Sequence, residues 1–294
     1  MSALRGCGTA LVTPFAADGS IDVPALEGLV EWQITEGIDF LVPCGSTGEA
    51  QTMRPEERLQ VIRTVCRMAR GRVPIMAGVT SNDTAEAVRE VREVSRTDVD
   101  WILSATPYYN KPTPEGLYRH FSAMAEASAK PVCLYNVPGR TALNMKPETV
   151  LRLAGHGNII GIKESSGDLN QVMHILADRP PRFAVLSGED WMAFPIVAAG
   201  GQGLVSVASN EIPAAMQRLV SSALSGDFET ARRLHYQVLP LLEVNFIETN
   251  PAPVKAALAA MGRLQNVLRL PLVPLSESKR DPLLAALRQA GVTA

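Results

Sequence analysis

Lysines and aromatic residues are scarce in this chain, and no apolar run exceeds strand length. A membrane-spanning helix needs about 20 consecutive apolar residues, so a membrane role is not expected. Lysine and arginine form no basic stripe or arm, and the formal net charge is −2; both argue against nucleic acid as a partner. The four cysteines, Cys7, Cys44, Cys66 and Cys133, contain no C-x-x-C pair. Small buried hydrophobes are the expected role for them. His120, His156, His174 and His235 are scattered with no H-x-x-x-H pair, so no metal site is expected. The opening "MSALRGCGTALVTPF" enters a strand almost at once and shows no signal-peptide pattern. A cytoplasmic location is the resulting expectation.

What is present is core material: 46% of the 294 residues are hydrophobic. Eight short apolar runs recur, near 8–13, 40–45, 73–79, 101–105, 131–137, 159–164, 183–188 and 203–208. Their apolar positions are nearly continuous, as in strands buried on both faces of a parallel sheet. Helical segments lie between them. "DTAE" at 83–86 resembles a capping box, with Asp83 as N-cap and Glu86 three residues on. "TPE" at 113–115 and "KPETV" at 146–150 place Pro114 and Pro147 at first helical positions. Eight strand–helix repeats predict an α/β fold of the (β/α)8 barrel type over residues 1–224. A doubly wound open sheet is the competing fold, but the G-x-G-x-x-G turn expected after its first strand is missing. Residues 225–294 are expected to form a small C-terminal helical domain. Its helices lie near 227–245, 253–261 and 280–290, interrupted by Pro240, "TNPAP" and "LPLVPL".

In such barrels the active site sits at the C-terminal ends of the strands. The polar residues there begin with Lys163. There are six lysines, and Lys163 alone lies in an apolar strand run. Two readings stand side by side: an ion pair with an acid such as Glu164, or a Schiff-base nucleophile. Imine formation needs a neutral amine, whereas a free lysine titrates near about 10.4; desolvation disfavours the ammonium. Tyr135, near the same end of the neighbouring run, is either packing or a proton carrier. Tyr108 and Tyr109 pose the same choice. "GSTGE", Gly45 to Glu49, lacks the G-K-[ST] ending of a phosphate loop. It is either an ordinary strand-to-helix turn or a cradle of backbone N–H groups for a small anion. Arg140, after "NVPG", is either a carboxylate clamp or a solvated surface arginine. "GGQG" at 200–203 reads as a helix C-cap followed by a tight turn.

Four stretches, "GSTGE", "TPYYNKP", "LYNVPGRT" and "GIKESSGD", follow one another in the order and spacing of the dihydrodipicolinate synthase family, which the chain resembles over nearly its whole length. That family belongs to the pyruvate-dependent class I aldolases and lyases, together with N-acetylneuraminate lyase. The resemblance implies condensation of pyruvate with aspartate-4-semialdehyde, on the way to diaminopimelate and lysine. Lys163 would form the imine with pyruvate. Tyr135 would act as general acid/base in a hydroxyl relay with Ser46 and Tyr109, the last donated by a neighbouring subunit. The backbone at Ser46 and Thr47 would hold the pyruvate carboxylate, and Arg140 the carboxylate of the acceptor. Gly188 and Val205 match positions lining the pyruvate pocket. A homotetramer built as a dimer of dimers is implied, and no metal or organic cofactor.

Two departures stand out. Most synthases read G-T-T-G-E; "GSTGE" is common in the sugar-acid lyases, which keeps a retro-aldol lyase as the alternative. Arg140 points back to an anionic acceptor. A non-catalytic sensor would be expected to lose Lys163, Tyr135 or the Ser46 hydroxyl, and all three are present. In lysine-inhibited members a serine and histidines occupy the places held here by Ala50, Pro55 and Arg58, while Asn82, Glu86 and Tyr108 match the rest of that site. Weak or absent lysine feedback is the expectation.

Overall fold

The computed structural model describes residues 3–292. Eight parallel strands, β1 (Gly6–Ala10), β2 (Phe40–Val42), β3 (Met76–Gly78), β4 (Trp101–Ala105), β5 (Val132–Asn136), β6 (Ile159–Glu164), β7 (Ala184–Ser187) and β8 (Gly203–Ser206), pair in the order β2-β1-β8-β7-β6-β5-β4-β3. The ring closes at a seam between β2 and β3 through the Leu41–Ile75 bridge. The Leu41 N–H donates to the Pro74 carbonyl there, and the Gly78 N–H to the Pro43 carbonyl. The chain is thus a (β/α)8 barrel. Around it run α1 (Val23–Thr35), α2 (Pro55–Ala69), α3 (Thr84–Val94), α4 (Pro114–Ala127), α5 (Pro138–Thr141), α6 (Pro147–Ala154), α7 (Leu169–Asp178), α8 (Ala193–Ala198) and α9 (Pro213–Leu224). After them come α10 (Phe228–Val244), α11 (Ala252–Ala260) and α12 (Glu277–Gln289).

Alternation along the strands separates two cores. Phe40, Val42, Met76, Trp101, Leu103, Leu186 and Val205 fill the barrel interior. Leu41, Ile75, Ile102, Leu134, Ile162 and Val185 face the surrounding helices. Inside, Phe40 and Trp101 meet edge to face at 5.9 Å, a preferred aromatic geometry. Burial of each large apolar side chain stabilises the fold by about 1.5–3 kcal/mol.

Several expectations shift in detail. The first strand lies at Gly6–Ala10 rather than 8–13, because the Val12 N–H has left the ladder for the Asn210 side chain, 3.1 Å away. Strands β2 and β3 are shorter than their apolar runs; Pro43 and Pro74 lack the N–H a ladder requires. The start of α3 is half a capping box. Asp83 accepts from the Ala85 N–H at 2.9 Å, but the Asp83 N–H goes to Ser81 Oγ while Glu86 pairs with Arg89. Pro240 does not interrupt its helix and sits inside α10. The carbonyl it leaves unpaired belongs to Tyr236, which is exposed and open to water, and the buried stripe of Leu234, Val238, Leu241 and Leu242 holds the helix together.

Candidate active site

The strand register places the central pair. Tyr135 on β5 is the cross-strand neighbour of Lys163 on β6, and Asn136 that of Glu164. Successive residues of a strand face opposite ways, so Lys163 and Glu164 cannot share an environment. Glu164 turns outward and accepts from the Asn136 amide at 3.1 Å, from the Gln171 amide at 3.3 Å and from the Ser166 N–H at 2.6 Å. Burial raises its carboxyl above the usual range. Lys163 turns inward, is 6% exposed, and holds its Nζ 4.2 Å from the centre of the Tyr135 ring. It forms no ion pair among the described residues. The geometry therefore removes the Glu164 ion pair as a reason for Lys163.

Both side chains open onto a cavity of about 340 Å³ at the C-terminal ends of the strands. Gly188 lies against the lysine stem: a Cβ there would come within 2.8 Å of Lys163 Cε and 1.9 Å of Ser165 Oγ. Only hydrogen fits, so this glycine leaves Lys163 its path.

The "GSTGE" turn forms one wall. Cys44 and Glu49 are left-handed, with φ of 59° and 54°, and the turn curls through Gly48 N–H to Gly45 carbonyl and Glu49 N–H to Ser46 carbonyl bonds. The N–H groups of Ser46 and Thr47 bond to no other group among the described residues. At Gly78 the adjoining strand approaches closely, a Cβ there falling 2.1 Å from the Cys44 carbonyl oxygen. Behind the turn, Lys255 of α11 meets Glu49 at 2.5 Å with both side chains fully buried. The Arg269 N–H also donates to Glu49. Burial lowers the Lys255 pKa, and the Glu49 charge opposes that shift.

Asn250 joins two predicted residues. Its side-chain amide donates to Thr47 Oγ1 at 2.9 Å, and its backbone carbonyl accepts from Arg140 at 3.0 Å. Arg140 of α5 stands at the cavity rim, otherwise exposed. Lys163, Tyr135, Ser46, Thr47, Arg140, Gly188 and Tyr108 thus border one cavity.

Two predicted residues do not border it. Tyr109 is 88% exposed with φ of 71°, on the loop that leaves β4; within one chain it contributes nothing to the cavity. The hydroxyls of Ser46 and Tyr135 are not bonded to each other, so the described residues of one chain form no continuous relay. Val205 is fully buried among the barrel's interior side chains, and Val207, two residues on, lines the cavity in its place. Of the residues resembling a regulatory site, Ala50 is buried in the helix-facing core. Arg58 is tied to Glu90 at 2.7 Å and to the Met53 carbonyl at 2.7 Å. Asn82 accepts through its carbonyl from Asn110.

Sequence reading missed Glu189, Asn250 and the Glu49–Lys255 pair. Glu189 lay within the "SGED" rim segment and could have been singled out as an acid beside a candidate nucleophile. Asn250 and Lys255 come from the helices after the barrel, and no local pattern ties them to residues 47 and 49.

Eight parallel strands in a ring, with an inward lysine beside a tyrosine at their C-terminal ends, define the class: a (β/α)8 barrel whose cavity opens at that end. The family model described as "Dihydrodipicolinate synthetase family" matches residues 3–290, and the chain belongs to that family. It is 56% identical over 290 residues to the 4-hydroxy-tetrahydrodipicolinate synthase of Koribacter versatilis, covering 98% of this chain and 97% of that one. With the enzyme of the same name from Acidobacterium capsulatum it shares 54% over 282 residues, 95% and 93% of the two chains. The chloride-inhibited dihydrodipicolinate synthase of Acinetobacter baumannii, solved with pyruvate, superposes with a TM-score of 0.97 at 42% identity over 99% of this chain and 100% of the other.

Proposed function

We propose that this chain is a lyase that condenses pyruvate with L-aspartate-4-semialdehyde, acting as a 4-hydroxy-tetrahydrodipicolinate synthase in diaminopimelate and lysine biosynthesis. The observation that carries the reading is Lys163: inward, unpaired among the described residues, and beside Tyr135. The names of its relatives agree.

The residues take these roles. The Lys163 amine attacks the ketone carbon of pyruvate, and loss of water leaves an imine. The N–H groups of Ser46 and Thr47 hold the pyruvate carboxylate, and Gly188 keeps the lysine stem clear. Tyr135 passes protons as the carbinolamine forms and dehydrates. The imine loses a methyl proton to become an enamine, whose carbon attacks the aldehyde. Arg140 holds the acceptor's carboxylate. The acceptor's ammonium then gives up a proton, and the resulting amine attacks the imine carbon, closing the ring and releasing Lys163. Each step uses only protein groups and the two substrates, so the reading calls for no metal or organic cofactor.

Tyr109 belongs to this scheme across an interface. Its exposure fits a residue lent to a neighbouring cavity, in a homotetramer assembled as a dimer of dimers. We place the barrel at 1–224 and the C-terminal helical unit at 225–294, the unit that supplies Asn250 and Lys255. No helix of the described residues is long and apolar enough to cross a membrane, and we place the enzyme in the cytoplasm. Trapping with borohydride tests the chemistry. Pyruvate plus borohydride should leave a reduced adduct on Lys163 by mass spectrometry, and an unmodified Lys163 sinks the mechanism.

A further inference from the structure

The acceptor in this reaction carries three groups: an aldehyde, a carboxylate and an α-ammonium. Arg140 answers the carboxylate and the enamine answers the aldehyde. The ammonium requires an anion or an acceptor within the cavity.

Two acidic side chains line the cavity among the described residues, Glu49 and Glu189. Glu49 is already held by Lys255 and by the Arg269 N–H, and its side chain is fully buried. Glu189 differs. Its carboxyl makes no hydrogen bond and no ion pair among the described residues. Its backbone, by contrast, is fixed: the Glu189 N–H donates to Ser187 Oγ, and that hydroxyl donates back to the Glu189 carbonyl at 2.7 Å. The preceding Gly188 N–H is anchored on the Glu164 carbonyl at 2.8 Å. A fixed backbone thus holds, at the cavity wall, a carboxyl with no protein partner among the described residues, near enough to Lys163 and Arg140 to feel both charges.

We propose that Glu189 binds the α-ammonium of the acceptor and so selects an amino-acid aldehyde over aldehydes that lack the amine. The proposal rests on the acceptor assignment made above. It gives the cavity charge complementarity to a zwitterion, with Arg140 for one pole and Glu189 for the other.

The electrostatics of the position agree. Burial pushes the Glu189 carboxyl up to about 7; the cations Lys163 of β6 and Arg140 of α5 pull it down, while the acids Asp190 and Glu164 push it up. Asp190 is fully buried and accepts from the Val207 and Ala208 N–H groups. As pH falls through about 7 the carboxyl gains a proton and loses its hold on an ammonium.

The test compares Glu189→Gln and Glu189→Asp with the parent enzyme on two ligands. Aspartate-4-semialdehyde is assayed as the substrate, and succinic semialdehyde, the same chain without the amine, as a competitor against it. A charged hydrogen bond contributes about 1.5–3 kcal/mol, so Glu189→Gln should raise the KM for aspartate-4-semialdehyde roughly 10- to 100-fold. The Ki of succinic semialdehyde and the KM for pyruvate should stay within about twofold, and Glu189→Asp should recover part of the loss. In the parent enzyme that KM should rise as pH falls below 7, a dependence Glu189→Gln removes. An unchanged KM, or an equal loss for both aldehydes, overturns the proposal. Failure of the acceptor assignment itself shows separately, as a parent enzyme that forms the borohydride adduct with pyruvate yet does not consume aspartate-4-semialdehyde.

Discussion

Lys255 and Glu49, 206 residues apart in sequence, form a fully buried ion pair directly behind the turn that carries Ser46 and Thr47. Removing one partner strands the other charge in a dry site. Lys255→Ala should therefore cost about 3–5 kcal/mol, read as a fall in the urea midpoint. The KM for pyruvate should rise with it, because the turn loses its backing.

Gly188 tests how tightly the lysine is placed. Gly188→Ala puts a methyl group within 2.8 Å of Lys163 Cε and 1.9 Å of Ser165 Oγ. Overpacking of this kind costs about 1–3 kcal/mol, a modest drop in Tm. A displaced nucleophile is more serious: kcat should fall roughly 100-fold. Retained kcat would mean that the lysine stem has room it does not need.

Arg140 should separate the two substrates. With Arg140→Ala, steady-state assays should show the KM for the semialdehyde rising roughly 10- to 100-fold, the loss of one charged hydrogen-bonding group, and the KM for pyruvate unmoved. Unaltered semialdehyde turnover would point to a different acceptor, such as a sugar acid cleaved in the reverse sense.

Glu57 gives an acid-side signature. Arg269 meets it through two hydrogen bonds, of 3.0 and 2.7 Å, and draws its carboxyl down to about 2 from an ordinary 4.5. The folded pKa is depressed, so the stabilisation is complete above the unfolded value and is lost as pH falls from there through about 2. The Tm gap between the parent and Glu57→Gln should be constant from pH 7 to pH 5 and shrink below about 4. A gap that stays constant down to pH 2 refutes the assignment.

Lysine should inhibit weakly or not at all. Arg58 is engaged by Glu90 and by the Met53 carbonyl, and Ala50 offers no hydroxyl. Initial rates should be unchanged at millimolar lysine; strong inhibition below that concentration overturns the expectation.

The barrel was legible because a parallel sheet buries both faces, so each strand leaves an uninterrupted apolar run. Strand ends were less legible. Pro43, Pro74 and the Asn210 side chain settle them, and the last acts across 198 residues. Lys163 stood out because a lysine in an apolar run is anomalous. Asn250 did not, because its meaning lies in reaching Thr47 and Arg140 from another part of the chain. Tyr109 lies in one of the recognisable motifs, yet this chain leaves its side chain 88% exposed, so its proposed role across an interface has no counterpart within one chain.

Asn250 also sets a schedule. The eighth strand is complete at Ser206, yet the residues joining Thr47 to Arg140 and closing on Glu49 lie at 250, 255 and 269. During synthesis the barrel strands emerge first, and the turn that carries Ser46 and Thr47 stays without its backing until residues 250 to 269 follow. A nascent chain of barrel length would thus lack the contacts that tie Thr47 to Arg140 and hold Glu49.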